Sequence, residues 1–154
     1  MHTYYSVILN TETVRRILKG EQTALGQSTP RRRHRLGQQG DILWVKERWR
    51  YAASADGIDW NINLLTCNDV YYFADDEYTP GIVWRSAVTM PFSVSRLHLN
   101  IETIKSCSYS DLTNEELKRL GYISPLNWIN LVYIEFSVNC LTEGINHEIK
   151  PISL

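Results

Sequence analysis

The chain has 154 residues and a mass of 17.9 kDa, with 44% hydrophobic and 21% charged residues, which excludes the disordered, fibrous and disulfide-scaffold classes and predicts one domain. Sixteen Lys+Arg stand against seventeen Asp+Glu, and the net charge of -1 excludes a uniformly basic, histone-like surface while leaving room for local patches. Cys67, Cys107 and Cys140 are an odd number without a CxxC pair, and His2, His34, His98 and His147 are scattered, so a reduced, cytoplasmic protein with no metal and no cofactor is expected. Neither an export leader nor a membrane span is expected: no basic segment precedes an apolar one at the start, and no window approaches the roughly 18 apolar residues of a span.

Taken in chain order, Tyr4, Tyr5, Val7, Ile8 and Leu9 predict a strand, and Val14, Ile17 and Leu18 repeat at helical spacing. Asn10 or Thr11 can cap that helix, over about 11–19, and Gly20 ends it. From Gly20 to Gly40 apolar periodicity vanishes, which predicts a long loop of the kind that binds something. Asp41 to Trp49 reads as a buried strand, and strands follow at about 58–66 and 69–74, the second on the aromatic content of DVYYF. Asp75-Asp76-Glu77 is an acidic turn. Further strands are expected at Ile82-Val83-Trp84 and from Arg96 to Ile104, where Leu97, Leu99 and Ile101 alternate. Thr113 and Glu116 have capping-box spacing before a two-turn helix stopped by Gly121, and Trp128 to Asn139 alternates as a long strand. No repeat or linker divides the chain, so a single domain is expected over 1–154, with its core at about 4–139 and an irregular tail over 140–154. Six or seven strands with two short helices make an α+β protein whose sheet is expected to curl into a barrel and cover its own edges.

Candidate chemistry concentrates in three places. Arg31, Arg32, Arg33, His34 and Arg35 put four of the sixteen cationic residues within five positions of the 20–36 loop. Four phosphate contacts there would give a salt slope of about -3 to -4 on duplex DNA; the alternative is a solvated loop kept soluble by its charge. Among the five tryptophans, Trp44 and Trp128 lie in apolar runs and are expected inside, whereas Trp49, after Lys46-Glu47-Arg48, is the candidate for a cleft wall or for packing at a barrel end. Glu47 alternates with Val45 and Trp49, so it is expected as an inward carboxylate that accepts from a base edge or pairs with Arg96.

Five segments, read in order, resemble the ASCH branch of the PUA-like superfamily, in particular its small phage- and prophage-encoded members. VRRILKGEQT is similar to a helix ending in a G-x-K-T-like turn, GQQGDILWVKERWR to G-x-x-G-D-x-L-W-V-R-E-x-W, and MPFSVSRLHLNI to M-P-x-x-x-S-R-x-x-L. DLTNEELKRLGY and WINLVYIEF are similar to the family's second helix and closing strand, so the likeness covers most of residues 7–137. It implies a mixed β-barrel with two or three short peripheral helices, and a cleft beside the first helix and the following loop. It also implies recognition of RNA or modified nucleobases, and for some small members an amidohydrolase activity that removes the acetyl group of N4-acetylcytidine. The enzymatic members use a Lys, a Thr three residues on, an Arg two beyond that and a Glu in the second helix; the matching positions here are Gln22, Leu25, Gln27 and Leu120. Leucine neither attacks a carbonyl nor moves a proton.

The expectation is therefore a non-catalytic domain that binds RNA, DNA or a modified nucleotide. Its candidate contacts are Lys19, Gln22, Thr23, Gln27, Arg31, Arg32, Arg33, Arg35, Lys46, Glu47, Trp49 and Arg96. Two alternatives stand beside it: an amidohydrolase with a rearranged site in which Thr23 is nucleophile and Lys19 base near Glu115 and Glu116, and a phage accessory protein acting through protein contacts.

Overall fold

The computed structural model describes residues 2–28, 37–52, 65–75, 81–121 and 131–140. Within them are seven strands, β1 (Tyr4–Ile8), β2 (Ala24–Ser28), β3 (Ile42–Lys46), β4 (Trp49–Tyr51), β5 (Val70–Tyr72), β6 (Leu97–Cys107) and β7 (Leu131–Cys140), and two helices, α1 (Thr11–Leu18) and α2 (Asn114–Arg119). Five strands form one curled, mixed sheet in the order β1-β3-β6-β7-β2, a half-barrel, and β4 pairs with β5 in a separate ribbon. The chain is thus α+β. Among the described residues no helix is long and apolar enough to cross a membrane.

The alternation of side chains builds the core. Val7 of β1, Leu43 and Val45 of β3, Leu97, Leu99 and Ile101 of β6, and Val132, Ile134 and Phe136 of β7 share the concave face, and α1 covers it with Val14 and Ile17. Helix α1 starts where expected. The Asn10 side chain accepts from the Thr13 N–H, and Gly20, at φ +75°, takes the left-handed conformation that ends the helix. At α2 the Thr113 side chain and Glu116 close a capping box, and Leu120 packs with Ala24, Leu131 and Tyr133 on the far side of the sheet. The β6–β7 pair is the longest, and it carries a register shift at Glu102 between Ile101↔Phe136 and Thr103↔Glu135. One extra residue on one strand bends it and increases its twist, and so supports the curl.

Three expectations are corrected. The segment from Gly20 to Gly40 is not loop throughout, because residues 24–28 pair antiparallel with β7 as an edge strand. Ile82-Val83-Trp84 is not a strand, since only the bridge of Arg85 to Trp49 forms there and Val83 stands 87% exposed. Trp44 is half-buried on the outer face, against Phe92, because alternation turns it away from Leu43 and Val45. The strand expected at 58–66 lies mostly outside the described residues, and Leu65 and Thr66 are not strand; Trp128 and Arg31–Arg35 lie outside them entirely.

Candidate nucleic-acid interface

Strand β3 continues through Glu47 and Arg48 into β4, and this short turn carries chemistry on both faces. Val45, Glu47 and Trp49 all point inward. Glu47 receives two hydrogen bonds from Arg96, Nε to Oε2 at 3.1 Å and Nη2 to Oε1 at 2.9 Å, a bidentate fork with both side chains almost fully buried. The other arm of the guanidinium, Nη1, donates to Asp75 at 2.6 Å, and its plane lies 4.1 Å from the Tyr72 ring centroid. Burial pushes the Glu47 carboxyl up from its ordinary range against the opposing Arg96 charge. At Arg96 burial works against the cation, and the Glu47 and Asp75 carboxylates overcome it, so the guanidinium is held protonated more firmly than in water. The Ser95 hydroxyl donates to the Val45 carbonyl beside this pair, and the Tyr72 hydroxyl to the Val94 carbonyl. The network ties β3, β5 and the start of β6 together.

The opposite face of the ribbon is built differently. β4 and β5 pair with Trp49 opposite Tyr72 and Arg50 opposite Tyr71, and the Phe73 N–H donates to the Arg48 carbonyl, continuing that register. Period 2 therefore alternates two sets of residues. Trp49, Tyr72 and Val70 go into a second core with Leu65, Met90 and Val94, while Arg48, Arg50, Tyr71 and Phe73 share the outer face. Each arginine lies on a ring: Arg48 is 4.1 Å from the Phe73 centroid, and Arg50 is 4.5 Å from Tyr71 and 5.0 Å from Trp84. Trp84 in turn meets Phe73 edge-on at 5.2 Å. Arg85, bridged to Trp49 through both backbone hydrogen bonds, places its guanidinium 4.5 Å from the Tyr51 ring.

None of Arg48, Arg50 and Arg85 has a carboxylate partner among the described residues. The Arg50 Nε is buried and makes no hydrogen bond. Two hollows border these side chains. One, of about 990 Å³, lies between the start of α1 (Asn10, Thr11, Glu12) and Arg48, Phe73 and Trp84. The other, of about 510 Å³, is lined by Arg50, Tyr51, Gly81, Ile82, Val83 and Arg85. Arginine planes held on aromatic rings, with donors left unspent, suit phosphates and stacked bases.

The residues expected from sequence divide among several places. Glu47 and Arg96 meet as an ion pair, one of the two outcomes expected for Glu47, and both are buried. Trp49 is not a cleft wall: at 1% exposure it packs in the ribbon's core, and its indole N–H donates to the Thr89 hydroxyl. Lys46 sits on the outer face of the main sheet, over Trp44 at 5.2 Å and donating to the Val88 carbonyl. Lys19 and Thr23 are exposed, and Gln27 is half-buried on β2. Gln22 is buried, accepting from Arg16 and donating to the Ala24 carbonyl. Leu25 and Leu120 belong to different cores on opposite sides of the sheet. Glu116, which caps α2, also pairs with Lys105. Arg48, Arg50, Arg85 and Trp84 were not among the expected contacts. The signal for Arg48 and Arg50 in the sequence is the period-2 interleaving of arginine and aromatic residues in ERWRY, answered by VYYF; Trp84 and Arg85 lie outside it.

No family model, curated protein or solved structure matches the chain.

Proposed function

We propose that the chain is a PUA-like, ASCH-type domain that binds single-stranded RNA, DNA or a modified nucleotide without catalysis, and that the arginines around the β4–β5 ribbon make the contact, Arg48 and Arg50 from its outer face and Arg85 from the edge beside Trp49 and Tyr51. The observation that carries this is the set of three arginines, Arg48, Arg50 and Arg85, each stacked on an aromatic ring and none paired with a carboxylate among the described residues. A ring holds a guanidinium in a fixed plane, so less entropy is lost when it grips a phosphate, and the same rings offer a face to a base. Surface arginines kept for solubility alone need neither. The five-segment resemblance points the same way, and Arg31, Arg32, Arg33 and Arg35 add charge to the same molecule.

The test is fluorescence anisotropy of a labelled single-stranded RNA and its DNA counterpart across a salt series. Three phosphate contacts on a single strand give a slope of log affinity against log salt of about -2. The double variant Arg50→Gln, Arg85→Gln is expected to weaken binding and bring that slope to about -0.7. Reversing Arg31, Arg32, Arg33 and Arg35 to Glu measures the contribution of the basic run separately. Absence of salt-dependent binding by the unaltered protein, or an unchanged slope in the double variant, overturns the assignment to this ribbon.

A further inference from the structure

We infer that the outer edge of β1 pairs with the same edge of a second copy of this chain, antiparallel about a two-fold axis at Ser6, so that two main sheets join into one. This pairing goes beyond the nucleic-acid reading and does not rest on it. β1 runs parallel to β3 from Tyr4↔Ile42 to Ile8↔Lys46 without a register shift. The Thr3 carbonyl accepts from the Ile42 N–H, and the Leu9 N–H donates to the Lys46 carbonyl, so the odd-numbered residues spend their backbone groups on β3. Successive residues of a strand turn these groups to opposite sides. The N–H and C=O of Tyr4, Ser6 and Ile8 therefore face the other way, along the edge of the sheet. These same three residues are exposed, Tyr4 at 49% and Ile8 at 54%.

Composition and register select the occupant. Sheet edges are ordinarily blunted by lysine, proline, a bulge or a cover, yet YYSVI has no charge, no proline and no bulge. The opposite edge strand, β2, is treated differently: Ala24 and Leu25 are buried, and the Thr23 N–H just before it is taken by the Arg119 carbonyl of α2. A sheet with one such edge joins once and closes, as a two-fold dimer does. With Ser6 opposite its own copy, Tyr4 of each chain stands opposite Ile8 of the other, and all three pairs are of the kind that exchanges two N–H···O bonds. Sliding the strands by two residues loses one of those pairs. In this register the two exposed apolar side chains cover each other. Tyr4 meets Phe92 edge-on at 5.6 Å, and Phe92 meets Trp44 at 5.3 Å, so Ile8 of the second copy extends an apolar row already present on the outer face. No charged side chain of this segment meets its like across the axis, since the first, Glu12, lies beyond the paired residues. A strand of five residues gives less contact than the roughly 1,200–2,000 Å² of a stable complex, so the dimer is weak and forms with rising concentration.

The experiment is sedimentation velocity of the unaltered full chain over a concentration series, beside Ser6→Lys, Ser6→Glu and their equimolar mixture, with circular dichroism to verify that each is folded. Ser6 is exposed and its N–H points away from β3, so both substitutions leave the main sheet intact. The unaltered chain is expected to move from 17.9 kDa towards twice that mass. Each variant alone is expected to stay near the monomer mass, because two like charges then stand directly opposite. The mixture, in which Lys faces Glu, is expected to associate about five-fold or more tightly than either variant alone. A monomer mass at every concentration of the unaltered chain overturns the self-pairing and leaves this edge to a strand of another protein. A dimer that both variants form as readily as the parent overturns its placement on β1, and a mixture no tighter than its components overturns the register about Ser6. No oligonucleotide is present, so each result is separate from the test of nucleic-acid binding.

Discussion

Replacing Glu47 by Gln keeps the shape of the side chain and removes one charge from the buried network it forms with Arg96. Both side chains are at most 3% exposed, and the fork contributes two hydrogen bonds of 2.9 and 3.1 Å. Breaking a buried pair by removing one partner costs about 3–5 kcal/mol, because the other charge stays in a medium that solvates it poorly. Asp75 remains 2.6 Å from Arg96 and stays partly in water, so the expected loss lies at the lower end, about 3 kcal/mol. For a chain of this length that corresponds to a fall in Tm of about 6–12 °C. Urea denaturation followed by circular dichroism measures it directly. The double variant Glu47→Leu, Arg96→Met tests the cause: with no charge left to strand, it is expected to recover most of the loss. Asp75→Asn, at a side chain more than a third exposed, is expected to cost under about 1 kcal/mol. A Glu47→Gln protein within about 1 kcal/mol of the parent at unchanged m-value would refute the reasoning.

Two further outcomes follow from groups described above. His98 is buried between Tyr4 and Phe92 with Nε2 unpaired, and burial lowers its pKa from 6.5; the unfolded chain therefore takes up the proton first, and stability present above pH 6.5 is lost as pH falls through the folded value. His98→Phe is expected to flatten the Tm-against-pH curve below pH 6.5, and an unaltered slope would show that another group causes it. Removing the caps separately, as Asn10→Ala and Thr113→Ala, is expected to cost about 1 kcal/mol each in denaturant unfolding, and the two losses should add because the caps serve helices in different cores.

Much of this was legible where local chemistry and tertiary placement agree. Asn10 and Gly20 bound α1, Thr113 and Glu116 start α2, and the alternations of β6 and β7 are those of half-buried strands. The inward turn of Glu47 followed from its spacing to Val45. Strand β2 was not legible, because ALGQS has little β propensity and is held by its backbone pairing to β7, which comes more than a hundred residues later. Ile82-Val83-Trp84 misled for the opposite reason: its composition is strand-like, but beyond the single bridge at Arg85 no described strand pairs with it. Trp49 was left between cleft wall and packing, and the period it shares with Val45 and Glu47 turns it inward to pack. The arginine–aromatic face needed the register of β4 against β5, a long-range fact, before ERWRY and VYYF could be seen as one surface.

The order of strands in the main sheet also sets a timetable for assembly. β1 and β2 are neighbours in the chain yet occupy opposite edges of the sheet, and each waits for a different, later partner, β1 for β3 and β2 for β7. As the polypeptide leaves the ribosome, α1 has half of its apolar bed once β3 is made, but β2 and β6 keep open edges until residues 131–140 emerge. Chains interrupted before Leu131 therefore leave the β6 and β2 edges that pair with β7 unsatisfied at once, a template for joining to other chains, and β7 is the strand that covers both.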